Sequence, residues 1–166
     1  MLRLLQCPSL VWRLAEDLLD IVPIGLATQI EVVAGLGTAG VLFAHTMAGL
    51  LDSRRPLTAP PCRFAAFDRG TTGPRVTPAF ASDLQQSGVL IADAWGKPCV
   101  LAACAGAARK TGAHVVAAAV VGMSTAPAYR PDFPVITLCP CASSQNARFA
   151  EAGRPPGALE KSLIVM

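Results

Sequence analysis

The stretch VLIADAWGKPCVLAACAGAARKTGAHVVAAAVV, residues 89–121, constrains the fold more than any other part of this chain. An apolar run ends at Asp93, an irregular segment 94–100 follows, then an alanine-rich segment, Gly112 and a second apolar run. Short apolar runs bounded by turn residues are strands buried on both faces, and parallel strands need a helical crossover between them. The reading is a strand at 89–92, a helix at 99–111 stopped by Gly112, and a strand at 114–121. This is the grammar of an α/β fold with a parallel sheet, in which ligands bind beyond the carboxyl ends of the strands.

The rest of the chain can be read the same way. Leu10, Val11, Leu14, Leu18, Leu19 and Val22 share one helical face, with Arg13, Glu16, Asp17 and Asp20 on the other. Pro8 suits the first turn of that helix. Residues 30–34 read as a short strand ending in a glycine-rich loop at 35–40, and residues 41–51 as a helix. Residues 52–61 read as a loop and 62–67 as a strand. Residues 68–78, rich in Gly, Pro and Thr, read as a long exposed loop of the kind that serves as a lid. Residues 135–138 read as a fifth strand and 143–152 as a terminal helix capped by Ser143 or Ser144. The expected architecture is one domain over 1–153, a doubly wound, mainly parallel five-stranded sheet flanked by helices. The tail 154–166 is left over, with Leu163 in a candidate edge strand at 163–165.

Composition narrows the function classes. A chain with 52% hydrophobic and 15% charged residues is not intrinsically disordered. A net charge of +3 with scattered basic residues gives no footprint for nucleic acid. The six cysteines include no CxxC pair, and His45 and His114 lie far from the close spacing Cys139-Pro140-Cys141, so no protein metal set is expected. Scattered reduced thiols suit a cytoplasmic protein. Glu16, Asp17 and Asp20 interrupt the apolar N-terminus, which argues against a signal peptide. The uncharged run 32–51 has the length of a bilayer span. Its glycines Gly35, Gly37, Gly40 and Gly49, and the weak basic flank Arg54-Arg55, argue against one, and a membrane anchor stands as an alternative.

Four stretches together resemble the type I phosphoribosyltransferases, most closely the orotate phosphoribosyltransferases. IEVVAGLGTAGVLFAHTMAGLL is similar to that family's first strand, pyrophosphate loop and helix. VLIADAW stands where the family has an apolar strand ending in two acids. ARKTGAHVVAAAVV is similar to its helix, turn and next strand, and FPVITLCPCASSQNARFAEAG to its closing strand and helix. The resemblance implies a reaction in which a pyrimidine base displaces pyrophosphate from phosphoribosyl pyrophosphate with Mg2+ bound, in a homodimer whose lids are shared.

On that resemblance, Gly37, Thr38, Ala39 and Gly40 bind pyrophosphate, Asp93 grips the ribose, and Gly96 and Lys97 hold the 5′-phosphate. Arg69, with Arg63 near it, supplies the lid's positive charge. Departures from the family pattern are as informative. Ala92 replaces the first acid, Pro98 removes an N–H donor from the phosphate loop, and Val100 adds bulk there. The lid segment 63–75 has no lysine or histidine, and no Lys-Ser-Gly motif for orotate precedes the first helix. The expectation is a phosphoribosyltransferase-like protein of weak or absent activity that binds a phosphorylated ligand or a partner. An active, divergent enzyme using Asp93, Lys97 and Arg69 is the alternative.

Overall fold

The computed structural model describes residues 6–124 and 131–141. Helix α1 (Pro8–Asp20) opens with Pro8 in its first turn, where a missing N–H costs nothing. A short helix α2 (Ile24–Ala27) leads into β1 (Val32–Leu36), which passes directly into α3 (Gly37–Ser53). A hairpin of β2 (Arg63–Gly70) and β3 (Gly73–Val76) follows, then a 3-10 turn (Pro78–Phe80) and α4 (Ala81–Leu84). The crossover read from residues 89–121 is present as β4 (Gly88–Gly96), α5 (Pro98–Arg109) and β5 (His114–Ser124), and β6 (Val135–Cys141) completes the described residues.

These strands form one sheet in the order β3-β2-β1-β4-β5-β6. Every pairing is parallel except β2 with β3. The sheet is covered on both faces, which explains why β4 reads as an unbroken apolar run. Leu90 and Ala92 point into a layer with Leu18, Phe43 and Met47 from α1 and α3. Val89 and Ile91 point into the opposite layer with Leu101, Cys104 and Ala108 from α5.

Several boundaries differ from the expectation, and the sheet has six strands rather than five. The lid expected at 68–78 is mostly hairpin, made of the end of β2, the turn and β3, with Asp68 opposite Arg75 and Gly70 opposite Gly73. Glycine, proline and threonine mark a tight turn there, and β3 is an edge strand that tolerates Pro74. The loop expected at 35–40 is absent, because β1 runs to Leu36 and the helix starts at Gly37. The irregular segment 94–100 is largely strand and helix, joined at Lys97. The run 32–51 is divided between β1 and α3, and among the described residues no helix is long and apolar enough to cross a membrane. The helix expected at 143–152 and the strand at 163–165 lie outside the described residues.

Candidate functional site

Because β1, β2, β4 and β5 are parallel, their carboxyl ends share one rim. A cavity of about 530 Å3 opens there, of the size that small-molecule sites commonly have. Gly37, Thr38, Ala39, Arg69, Asp93 and Lys97 all line it, so the fold brings together six residues that are scattered over sixty positions of sequence.

The first wall is the start of α3. Gly37 adopts a φ of 63°, a left-handed conformation that glycine takes without strain and that lets strand become helix in one residue. Gly35 and Gly40 do a different job. A Cβ on Gly35 would lie 2.7 Å from the Val41 nitrogen and would overlap the Gly40 carbonyl. A Cβ on Gly40 would lie 3.2 Å from the Gly35 carbonyl carbon. The two glycines therefore let the strand and the helix touch backbone to backbone. Gly40 is buried beneath the turn and does not line the cavity. No side chain caps α3, so its first-turn N–H groups and the positive end of its dipole face the cavity as a seat for an anion. The Arg69 Nε is 3.7 Å from where a Gly37 Cβ would stand, which lays the guanidinium beside that seat.

The second wall is the end of β4. Burial pushes the Asp93 carboxyl above its ordinary pKa, while hydrogen bonds from the Trp95 and Ala94 backbone and the positive charge of Arg69 pull it back. Behind it, burial and the nearby Asp93 charge push the Cys104 thiol up to about 12, so this cysteine is an inert packing group. Ala92, the residue before Asp93, is fully buried in the layer with α3.

At the head of α5 the donors are few. Pro98 has no N–H, and the Val100 and Leu101 N–H groups both donate to the Lys97 carbonyl, at 2.9 and 3.0 Å. The exposed Lys97 ammonium is the main attraction for an anion on this side. Gly96 is buried, and a Cβ there would stand 2.9 Å from Val120 Cγ1 and 3.1 Å from Leu101 Cδ1. Its absent side chain serves packing, and it does not line the cavity.

Arg63 sits elsewhere. It begins β2 whereas Arg69 is near its end, six residues away, or roughly 20 Å along an extended chain. There it pairs with Asp83 at 3.1 Å and donates to the Ser87 hydroxyl at 3.0 Å, so it ties the amino end of the sheet to α4. Six lining residues are not among the contacts expected from the sequence: Leu36, Gly70, Gly73, Pro74, Trp95 and Val100. The signal for Trp95 was its aromatic character at the end of an apolar run, which favours strand over loop.

No protein-family model and no curated protein sequence matches the chain. Solved structures do. The chain is similar to an adenine phosphoribosyltransferase at 18% identity and a TM-score of 0.63, covering 82% of this chain and 84% of that one. It is similar to orotate phosphoribosyltransferase from Aeropyrum pernix at 18% identity and a TM-score of 0.62, covering 84% and 76%. It also aligns with a hypothetical protein from Neisseria gonorrhoeae with bound ppGpp, at 16% identity and a TM-score of 0.50, over 80% and 78%. The chain has the fold of the type I phosphoribosyltransferases.

Proposed function

We propose that this chain binds a phosphorylated sugar ligand of the phosphoribosyl pyrophosphate type and turns it over slowly or not at all. One observation carries the reading: the uncapped start of α3, Arg69 and Lys97 surround the single carboxylate Asp93 in one cavity. Cations and a helix N-terminus select phosphate, and a lone acid among them suits a sugar hydroxyl. The neighbour that carries ppGpp supports a phosphorylated ligand on this fold.

Poor turnover is argued from the parts that differ. With Ala92 buried and apolar, the ribose grip rests on one acid, and with few donors at the head of α5 the 5′-phosphate is held mainly by Lys97. Each missing charge-stabilising contact costs a factor of about 10²–10³ in rate. Among the described residues no group of three His, Cys, Asp or Glu side chains is placed to hold a metal. Magnesium fits this site only as the counter-ion of a diphosphate, steadied by Asp93. A homodimer and a cytoplasmic setting complete the proposal.

The second reading, an active divergent transferase, draws on the convergence of Asp93, Lys97 and Arg69 that it requires. Calorimetric titration with phosphoribosyl pyrophosphate and magnesium, alongside a pyrophosphate-release assay with pyrimidine bases, separates the two. The expected result is saturable binding, weakened about tenfold by Arg69→Ala, with little pyrophosphate released. Steady release would establish the second reading. An absence of heat from folded protein would end both.

A further inference from the structure

The cavity is chemically lopsided across the sheet. Arg69 lies near the end of β2 and the anion seat follows β1. Next comes Asp93 on β4, and beyond it Trp95 leans onto β5. Trp95 pairs in register with Gly122, and a Cβ on Gly122 would collide with Cζ3 and Cε3 of the indole. The six-membered part of the ring therefore fills the space of the side chain that Gly122 lacks. Glycine backbone on β5 lies against the indole. Trp95 still lines the cavity and is 40% exposed, so part of its surface is open to a ligand.

Distances across this rim match one kind of ligand. Adjacent strands lie about 4.8 Å apart, so β1 and β5 are separated by roughly 10 Å. Two residues along a strand advance about 7 Å, which puts one sugar's reach between the Asp93 and Trp95 positions. We propose that Trp95 is a stacking platform and that the ligand is a nucleoside phosphate. Its phosphates lie at the start of α3 beside Arg69, its sugar at Asp93, and its base on the indole. This rests on the phosphate-binding reading above and adds the ring to it. Trp95 is thereby the specificity-determining residue that separates nucleotides from ring-less sugar phosphates.

The chain has two tryptophans, and Trp12 lies on α1, outside the cavity lining. A Trp12→Phe protein thus reports Trp95 fluorescence alone. ADP and UDP are titrated against ribose 5-phosphate and inorganic pyrophosphate, with magnesium present. The two nucleotides are expected to quench the indole and to bind at least tenfold tighter than the ring-less probes, as base–aromatic stacking allows (about 1–3 kcal/mol). Trp95→Ala should erase that advantage while leaving pyrophosphate affinity in place, and Trp95→Phe should keep most of it. Equal affinity for ring-bearing and ring-less probes overturns the platform but keeps the phosphate site. An advantage that survives in Trp95→Ala also overturns it. Binding of neither class removes the phosphate reading itself. The comparison of probes on the Trp12→Phe protein decides the question even where Trp95→Ala is too unstable to purify.

Discussion

Three glycines in one sequence cluster are expected to respond to alanine in three different ways. At Gly35 the added Cβ meets backbone on the facing helix turn, with Val41 N at 2.7 Å and the Gly40 carbonyl closer still. Neither atom belongs to a flexible side chain, so β1 and α3 must separate and loosen the layer around Phe43 and Met47. That is the costly end of overpacking, about 3 kcal/mol. It corresponds to a Tm loss of roughly 6–12 °C for a chain of this size. At Gly37 there is room, since the nearest atom is Arg69 Nε at 3.7 Å, and the cost comes from the φ of 63°. Alanine pays about 1–2 kcal/mol for that conformation. At Gly49, inside α3 and exposed, nothing lies within 4 Å. Alanine there should stabilise by about 0.5–1 kcal/mol. Urea denaturation of the three variants, read as midpoints at constant slope, gives the ranking. A Gly35→Ala protein as stable as Gly37→Ala would refute the backbone contact and return residues 35–40 to the status of a loop.

Further expectations follow from other parts of the site. The raised Asp93 pKa means its contribution favours the folded state below the ordinary carboxylate range and is lost as pH rises through the folded value. Asp93→Asn should therefore match wild-type stability at acid pH and exceed it increasingly towards neutrality, in urea midpoints taken between about pH 3.5 and 7; a constant difference would contradict the burial of this carboxyl. Arg63→Ala should cost about 0.5–1 kcal/mol, as an exposed ion pair does, and leave pyrophosphate affinity unchanged; weaker binding would put Arg63 back in the site. Thiol labelling of the native protein followed by peptide mapping should modify the exposed Cys7 and Cys99 and spare Cys104. Early labelling of Cys104 would mean that the floor beneath Asp93 opens.

The sequence was most legible where strands are buried on both faces. The runs at 89–92, 114–121 and 135–138 are apolar because each strand lies between two helical layers, and helix α1 showed itself by its amphipathic face. The ends were less legible. Asp93, Ala94 and Trp95 emerge from the core at the rim, so the strand continues while its hydrophobic signal stops. The hairpin was hidden for a related reason: β3 is an edge strand whose residues are half-buried or exposed, with no apolar period to read. Of the site, Gly37, Thr38, Ala39, Arg69, Asp93 and Lys97 were legible and do line one cavity. Arg63 shares the expected lid with Arg69, but that segment is a strand, and an eight-residue strand puts its two ends at opposite rims of the sheet. Gly40 and Gly96 carry the composition of phosphate loops, yet their missing side chains make room for Gly35 and for Val120 and Leu101.

The burial of Ala92 also limits what the rim can become. Its neighbour Asp93 looks towards the cavity, but Ala92 itself is sealed between the sheet and α3, with Val33, Phe43 and Ala44 in the same layer. An acid placed at 92 would bury a carboxylate in this apolar layer, a change costing several kcal/mol. A two-acid rim on this chain therefore requires α3 to be repacked first, so the single carboxylate is fixed by the core and not only by the cavity.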